Sequence, residues 1–419
     1  MRRGGAAFFV TIVTLAVLVP ATTASADTIR DSEYWLDDYG IRQAWQTSRG
    51  EGVTVAVIDS GVDGSHPDLV GAVVGGTDVS GVGSPDGQTP VGESKAHGTL
   101  VASLIAGRGS GAGMESGVIG AAPAASLLSI SVGFGIEGAS TDTQIATAVR
   151  WAVDNGADII NMSLTRNVLD WPESWDDAFL YAFDHDVIVV AAAGNRAAGT
   201  TVVGAPATIP GVLTVAGVDQ FGNSSFTASS QGVTIAVAAP SEALVGAMPG
   251  GGYSWWQGTS GAAPIVSGIV ALVRSAHPEL DANSVIQRII ATADAKGGVV
   301  PDATYGYGLV DAAAAISAAV PLVTANPLGD LAEWIRVYRR ADSGQPGTLP
   351  EVENYTNEVP VTEPEKPLGF WQTISAAVPT MQSMRSPAVP IAVYTGFGVL
   401  ALLAALGLWR SFRPVPARE

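Results

Sequence analysis

The stretch Val55-Ala56-Val57-Ile58-Asp59-Ser60-Gly61 decides the fold. Four consecutive apolar residues, three of them β-branched, read as a strand. The run does not alternate with polar residues, so both faces of that strand must be covered. It stops on an acid. A carboxylate at the end of a buried strand is costly unless it is hydrogen-bonded, so Asp59 needs a partner. Outward from this stretch the same texture recurs. Residues 53–58, 126–132, 159–163, 187–192, 212–218 and 233–239 read as strands, and residues 100–106, 141–155, 174–184, 261–276 and 283–293 as helices. Doubly buried strands alternating with helices predict an α/β fold, a mainly parallel sheet covered by helices on both faces. Reactive groups in such folds gather at the carboxyl ends of strands, where Asp59 stands.

Two further stretches supply partners. His97-Gly98-Thr99-Leu100-Val101-Ala102 opens a helix, and so does Gly258-Thr259-Ser260-Gly261-Ala262-Ala263-Pro264. Pro264 is expected in about the first turn, where a missing N–H costs little. Ser260 would then sit near a helix N-terminus, whose free N–H groups can face an oxyanion. A serine hydroxyl is a poor nucleophile alone. A histidine must take its proton, and a buried carboxylate must fix the tautomer, so Asp59, His97 and Ser260 form a candidate relay. Asn195, at the end of Ala191-Ala192-Ala193-Gly194-Asn195, follows a strand, and its carboxamide can donate a further oxyanion hydrogen bond. His66 reads as a loop residue, His185 and His277 as helix-end residues, and Asp63 and Asp78 as turn residues.

Composition narrows the classes. Hydrophobic residues at 47% and charged residues at 14% exclude a mostly disordered chain and a coiled coil. Lys+Arg 21 against Asp+Glu 39 gives a net charge of −18, without the basic face that a nucleic-acid partner needs. With no cysteine there is no thiol nucleophile, no disulfide and no Cys-based metal site. The ends look like membrane-handling segments. Arg2 and Arg3, an apolar run over 6–19 and Ala24-Ser25-Ala26 read as a signal peptide, residues 1–26. Residues 391–409 carry no charge and are just long enough to span a bilayer at ~1.5 Å per residue. Arg410, Arg413 and Arg418 follow, which places the tail 410–419 in the cytoplasm. Between these ends, 27–325 is expected to be the catalytic domain. Residues 326–390 are expected to be a Pro- and acid-rich linker, with 331–340 as one or two amphipathic turns.

The four motifs, in this order, resemble those of a subtilisin-like serine protease over roughly residues 35–320, including Gly306-Tyr307-Gly308-Leu309-Val310-Asp311. The resemblance implies a protein or peptide substrate. Asp59 would orient, His97 would act as base then acid, Ser260 would attack, and Asn195 with the Ser260 N–H would hold the oxyanion. It also implies that substrate binds as an added strand along Ser163-Leu164-Thr165 and the stretch near Val132-Gly133-Phe134-Gly135, with Gly194 also among the substrate-binding residues. Asp68 matches a calcium-ligand position in some such enzymes, but one carboxylate cannot hold Ca²⁺; no metal and no cofactor are expected. Four positions depart from the pattern. Leu100 stands where many relatives have a second histidine, Gly261 replaces a larger apolar residue, and Thr165-Arg166 replaces a pair that is often Gly-Gly. Signal, one protease domain, linker and C-terminal anchor together resemble mycosins, membrane-anchored proteases associated with type VII secretion. The alternative is a structural scaffold of a secretion complex that keeps the protease fold, with proteolysis secondary.

Overall fold

The computed structural model describes residues 27–136, 140–199, 201–296 and 298–339. The expected signal peptide, most of the linker, the apolar stretch 391–409 and the tail 410–419 lie outside the described residues.

The strands are β1 (Thr54–Asp59), β2 (Val73–Asp78), β3 (Arg108–Ser110), β4 (Ser116–Ile119), β5 (Ser126–Ser131), β6 (Ile159–Met162), β7 (Ile188–Ala192), β8 (Leu213–Val218), β9 (Ile235–Pro240), β10 (Leu244–Ala247) and β11 (Tyr253–Trp256). Seven of them form one parallel sheet in the order β2-β5-β1-β6-β7-β8-β9. The order reverses at β1 and β6, where chain order stops running outward to β5 and β2 and turns the other way. Ligand crevices in open α/β sheets open at such a point. Strands β6 to β9 are buried at every residue, as their uninterrupted apolar runs require. Helices His97–Ala106 and Thr259–Ala276 pack together on one face, and Thr141–Asp154 and Glu173–Asp184 on the other. Thr259–Ala276 is long and apolar enough to cross a membrane, but it is mostly buried against β6 to β9 and serves as the core helix.

The structure differs from the sequence expectation in several elements. Strand β2 is added at the sheet edge. Two antiparallel hairpins, β3–β4 and β10–β11, lie outside the main sheet. The compact body also continues past residue 325, where the linker is expected to begin. Asn326 Nδ2 donates to the Gly211 carbonyl (3.0 Å), Leu331 is buried, and the Trp334 ring lies 4.4 Å from that of Trp171. Arg339 Nε then donates to Asp176 Oδ2 (2.9 Å). Residues 326–339 therefore belong to the domain, because they cover its apolar surface.

Candidate active site

Asp59 ends β1 and is 2% exposed. Its Oδ1 accepts the Ser60 N–H at 2.7 Å, and both carboxylate oxygens lie 2.9 Å from His97 Nδ1. The partner that burial demanded is thus the first residue of helix His97–Ala106. That helix start is held against β1 by a close approach. A Cβ on Gly98 would stand 2.2 Å from the Gly61 carbonyl oxygen, so only glycine fits. The Gly98 N–H donates to Ser60 Oγ (3.1 Å), and Thr99 Oγ1 accepts the Asp63 N–H (3.0 Å). The His97 side chain keeps 28% of its surface exposed, with the edge of Trp256 against it at 5.9 Å between centroids. Burial works against the charged imidazole, but the charge of Asp59 and its hydrogen bond outweigh it, so the pKa of His97 sits above its ordinary value.

Ser260 is the second residue of helix Thr259–Ala276, where the backbone N–H has no carbonyl four residues back within the helix. Its Oγ donates to the Ser163 carbonyl at 3.2 Å. Pro264 lies at the sixth helical residue rather than in the first turn. The N–H that it lacks would have bonded the Ser260 carbonyl. That carbonyl instead accepts Ser163 Oγ (2.9 Å), which in turn accepts Asn161 Nδ2 (3.0 Å), while Ser267 Oγ donates to Asn161 Oδ1 (2.9 Å). The proline thus frees a carbonyl that a buried side-chain chain uses to fix the serine to the end of β6.

Asn195 is oriented in the same way. Its Oδ1 accepts from Thr259 N (2.8 Å) and Thr259 Oγ1 (3.1 Å), while its Nδ2 donates to none of the described residues. The Thr259 hydroxyl also accepts the Gly194 N–H (3.0 Å). Gly258, at φ 140°, passes Asn195 closely: a Cβ there would lie 3.0 Å from Nδ2.

One cavity of about 460 Å³ is lined by Asp59, His97, Ser163, Leu164, Thr165, Gly194, Asn195 and Ser260. The structure therefore brings together every candidate site residue except Gly133. The Gly133 N–H turns to Gln144 Oε1 (2.8 Å), and its neighbour Phe134 lines the cavity instead. The sequence alone does not reveal Thr259, Asn161 and Ser267, because the bonds Thr259–Asn195 and Ser267–Asn161 span 64 and 106 residues. Gly261 has a local reason: a Cβ there would stand 2.2 Å from Leu244 Cδ1, so β10 already fills the space. His66, expected in a loop, is buried, with Nδ1 accepting the Asp68 N–H (3.1 Å) and Nε2 facing the Gly252 carbonyl (3.1 Å).

Several known proteins resemble this chain in sequence or in structure. Among curated proteins, fervidolysin of Fervidobacterium pennivorans is 33% identical over 323 residues, covering 69% of this chain and 44% of fervidolysin. Subtilisin E of Bacillus subtilis (strain 168) is 36% identical over 276 residues, covering 64% of this chain and 66% of subtilisin E. The chain thus spans less than two thirds of either relative. Among solved structures, the MycP3 protease from the type VII (ESX-3) secretion system superposes with a TM-score of 0.59 at 33% identity, covering 68% of this chain and 88% of MycP3. MycP1 from the ESX-1 type VII secretion system gives 0.60 at 32%, covering 71% and 88%. The Subtilase family model matches residues 50–308, more than half the sequence, a span that includes Asp59, His97, Asn195 and Ser260; the chain belongs to the subtilase family.

Proposed function

We propose that the chain is an extracytoplasmic serine endopeptidase, anchored by residues 391–409, that works beside a type VII secretion system. The paired bonds from the Asp59 carboxylate to His97 Nδ1 carry the catalytic reading, because they leave Nε2 as the base facing the cavity that holds Ser260. Rotation about χ1 turns Ser260 Oγ from the Ser163 carbonyl toward that nitrogen. Nε2 takes the hydroxyl proton as Oγ attacks the peptide carbonyl carbon. Asp59 holds the resulting imidazolium, and the oxyanion meets Asn195 Nδ2 and the Ser260 N–H. His97 then gives the proton to the departing amine, and water repeats the sequence on the acyl-enzyme. Peptide lies along Ser163, Leu164 and Thr165. Similarity to MycP1 and MycP3 supports the secretion setting.

A fluorophosphonate probe on intact cells tests the reading. Labelling is expected in the wild type and lost in Ser260→Ala and His97→Ala, with both variants still folded. Labelling that persists in Ser260→Ala removes that serine from the mechanism.

A further inference from the structure

The cavity holds a second charged pair that the proposed chemistry does not use. Four of its lining residues are titratable. Asp59 and His97 are committed to each other. The others, Asp142 and Arg166, also form an ion pair, Arg166 Nη1 to Asp142 Oδ1. The pair rests on one fully buried ring: Trp175 Nε1 donates to the Asp142 carbonyl (2.8 Å), and the Arg166 guanidinium lies 5.5 Å from the Trp175 ring centroid. The Arg166 backbone is fixed as well, its N–H on the Ala205 carbonyl at 2.7 Å. Arg166 follows Ser163 by three residues, and Asp142, Arg166, Ser163 and Ser260 all line the same cavity, so the pair stands in the cleft that holds the reacting hydroxyl. It is placed to meet a side chain of a peptide bound there. Arg166 and Asp142 remain 32% and 36% exposed on their side chains, so both are within reach of a bound peptide.

We propose that Asp142 and Arg166 act as a charge filter on the bound peptide, a role that rests on the endopeptidase reading above. Together they present no net charge. An acidic side chain entering there meets Arg166 already neutralised and Asp142 repelling it; a basic one meets the reverse. Uncharged side chains lose nothing, because the pair satisfies itself. Removing either partner unmasks the other and admits the opposite charge.

The test is a set of internally quenched peptides with Gln, Glu or Lys at each of four positions on either side of the scissile bond. It is run on the wild type, Asp142→Asn and Arg166→Gln. In the wild type, one position should show Glu and Lys cleaved roughly three- to tenfold more slowly than Gln, a modest factor because both groups are partly solvated. At that position Asp142→Asn should raise the Glu/Gln ratio and lower Lys/Gln, and Arg166→Gln should do the opposite. Ratios within one preparation cancel differences in active-enzyme content, and a merely structural role would slow all three peptides together. A flat charge profile, or a shift in the same direction in both variants, overturns the filter while fluorophosphonate labelling of the wild type still stands. Absence of both labelling and cleavage overturns the endopeptidase reading, and the filter with it.

Discussion

His97 carries the most direct residue-scale consequence. Its raised pKa means that the neutral base is lost on acidification from a point above the ordinary 6.5. The acid limb of kcat/KM should therefore lie above that value. Asp59→Asn removes the raising charge and should move the limb down while lowering kcat by about 10⁴; a limb that stays in place would assign it to another group. The same shift stabilises the fold below pH ~6.5, where both folded and unfolded states are protonated, and that contribution disappears as pH rises through the raised value. Asn195 and Thr259 form a second unit. Asn195→Ala should lower kcat by about 10²–10³, the loss found when such a donor is removed from a subtilisin, with KM nearly unchanged. Thr259→Val should also lower kcat by releasing the Asn195 carboxamide. It should in addition cost about 1–3 kcal/mol of stability, because the buried Gly194 N–H loses its acceptor. Steady-state kinetics and urea melts separate the two effects.

At the scale of elements, helix Thr259–Ala276 and hairpin β10–β11 approach closely beside the serine, at Gly261 and Leu244. Gly261→Ala should cost about 1–3 kcal/mol, because its Cβ would meet the buried Leu244. Leu244→Ala in the same chain should recover part of that loss, and a double-mutant cycle in chemical denaturation checks the coupling. The same elements show what the sequence could reveal. Strands β6 to β9 are legible because burial on both faces writes an unbroken apolar run. Strand β2 is not: Val73-Val74-Gly75-Gly76-Thr77-Asp78 lies half-exposed at the edge, and Gly76 is required because a Cβ there would stand 2.2 Å from the Asp86 carbonyl, a fact of tertiary approach rather than of local pattern. The placing of Asp59, His97, Ser260 and Asn195 was legible for a similar reason, since each marks a strand end or a helix start. The supporting Thr259, Asn161 and Ser267 look like ordinary polar residues until the sheet order is known. Sequence alone places Pro264 too close to the helix start, because nothing local shows that Ser163 Oγ serves the Ser260 carbonyl left free by the missing N–H.

At the scale of the molecule, the strap over 326–339 makes the domain boundary measurable. Burying Leu331 contributes about 2 kcal/mol, and 1 kcal/mol moves the Tm of a large domain by ~2 °C. A chain ended at 339 should therefore melt about 4 °C above one ended at 325. Equal melting temperatures would return those residues to the linker.

The sheet order has a temporal meaning as well. The groups of the site are drawn together across sequence separations of 38, 64 and 97 residues, and Ser260 arrives on a helix that follows all the strands of the main sheet. A chain emerging N-terminus first exposes Asp59 and His97 long before the serine exists. Until β6 and β7 have paired, nothing holds Ser163 or Asn195 beside it. Non-local pairing of this kind is slow to complete. On the endopeptidase reading, cleaving power would appear only as helix Thr259–Ala276 docks, and a partly made chain would not yet cut itself or its neighbours.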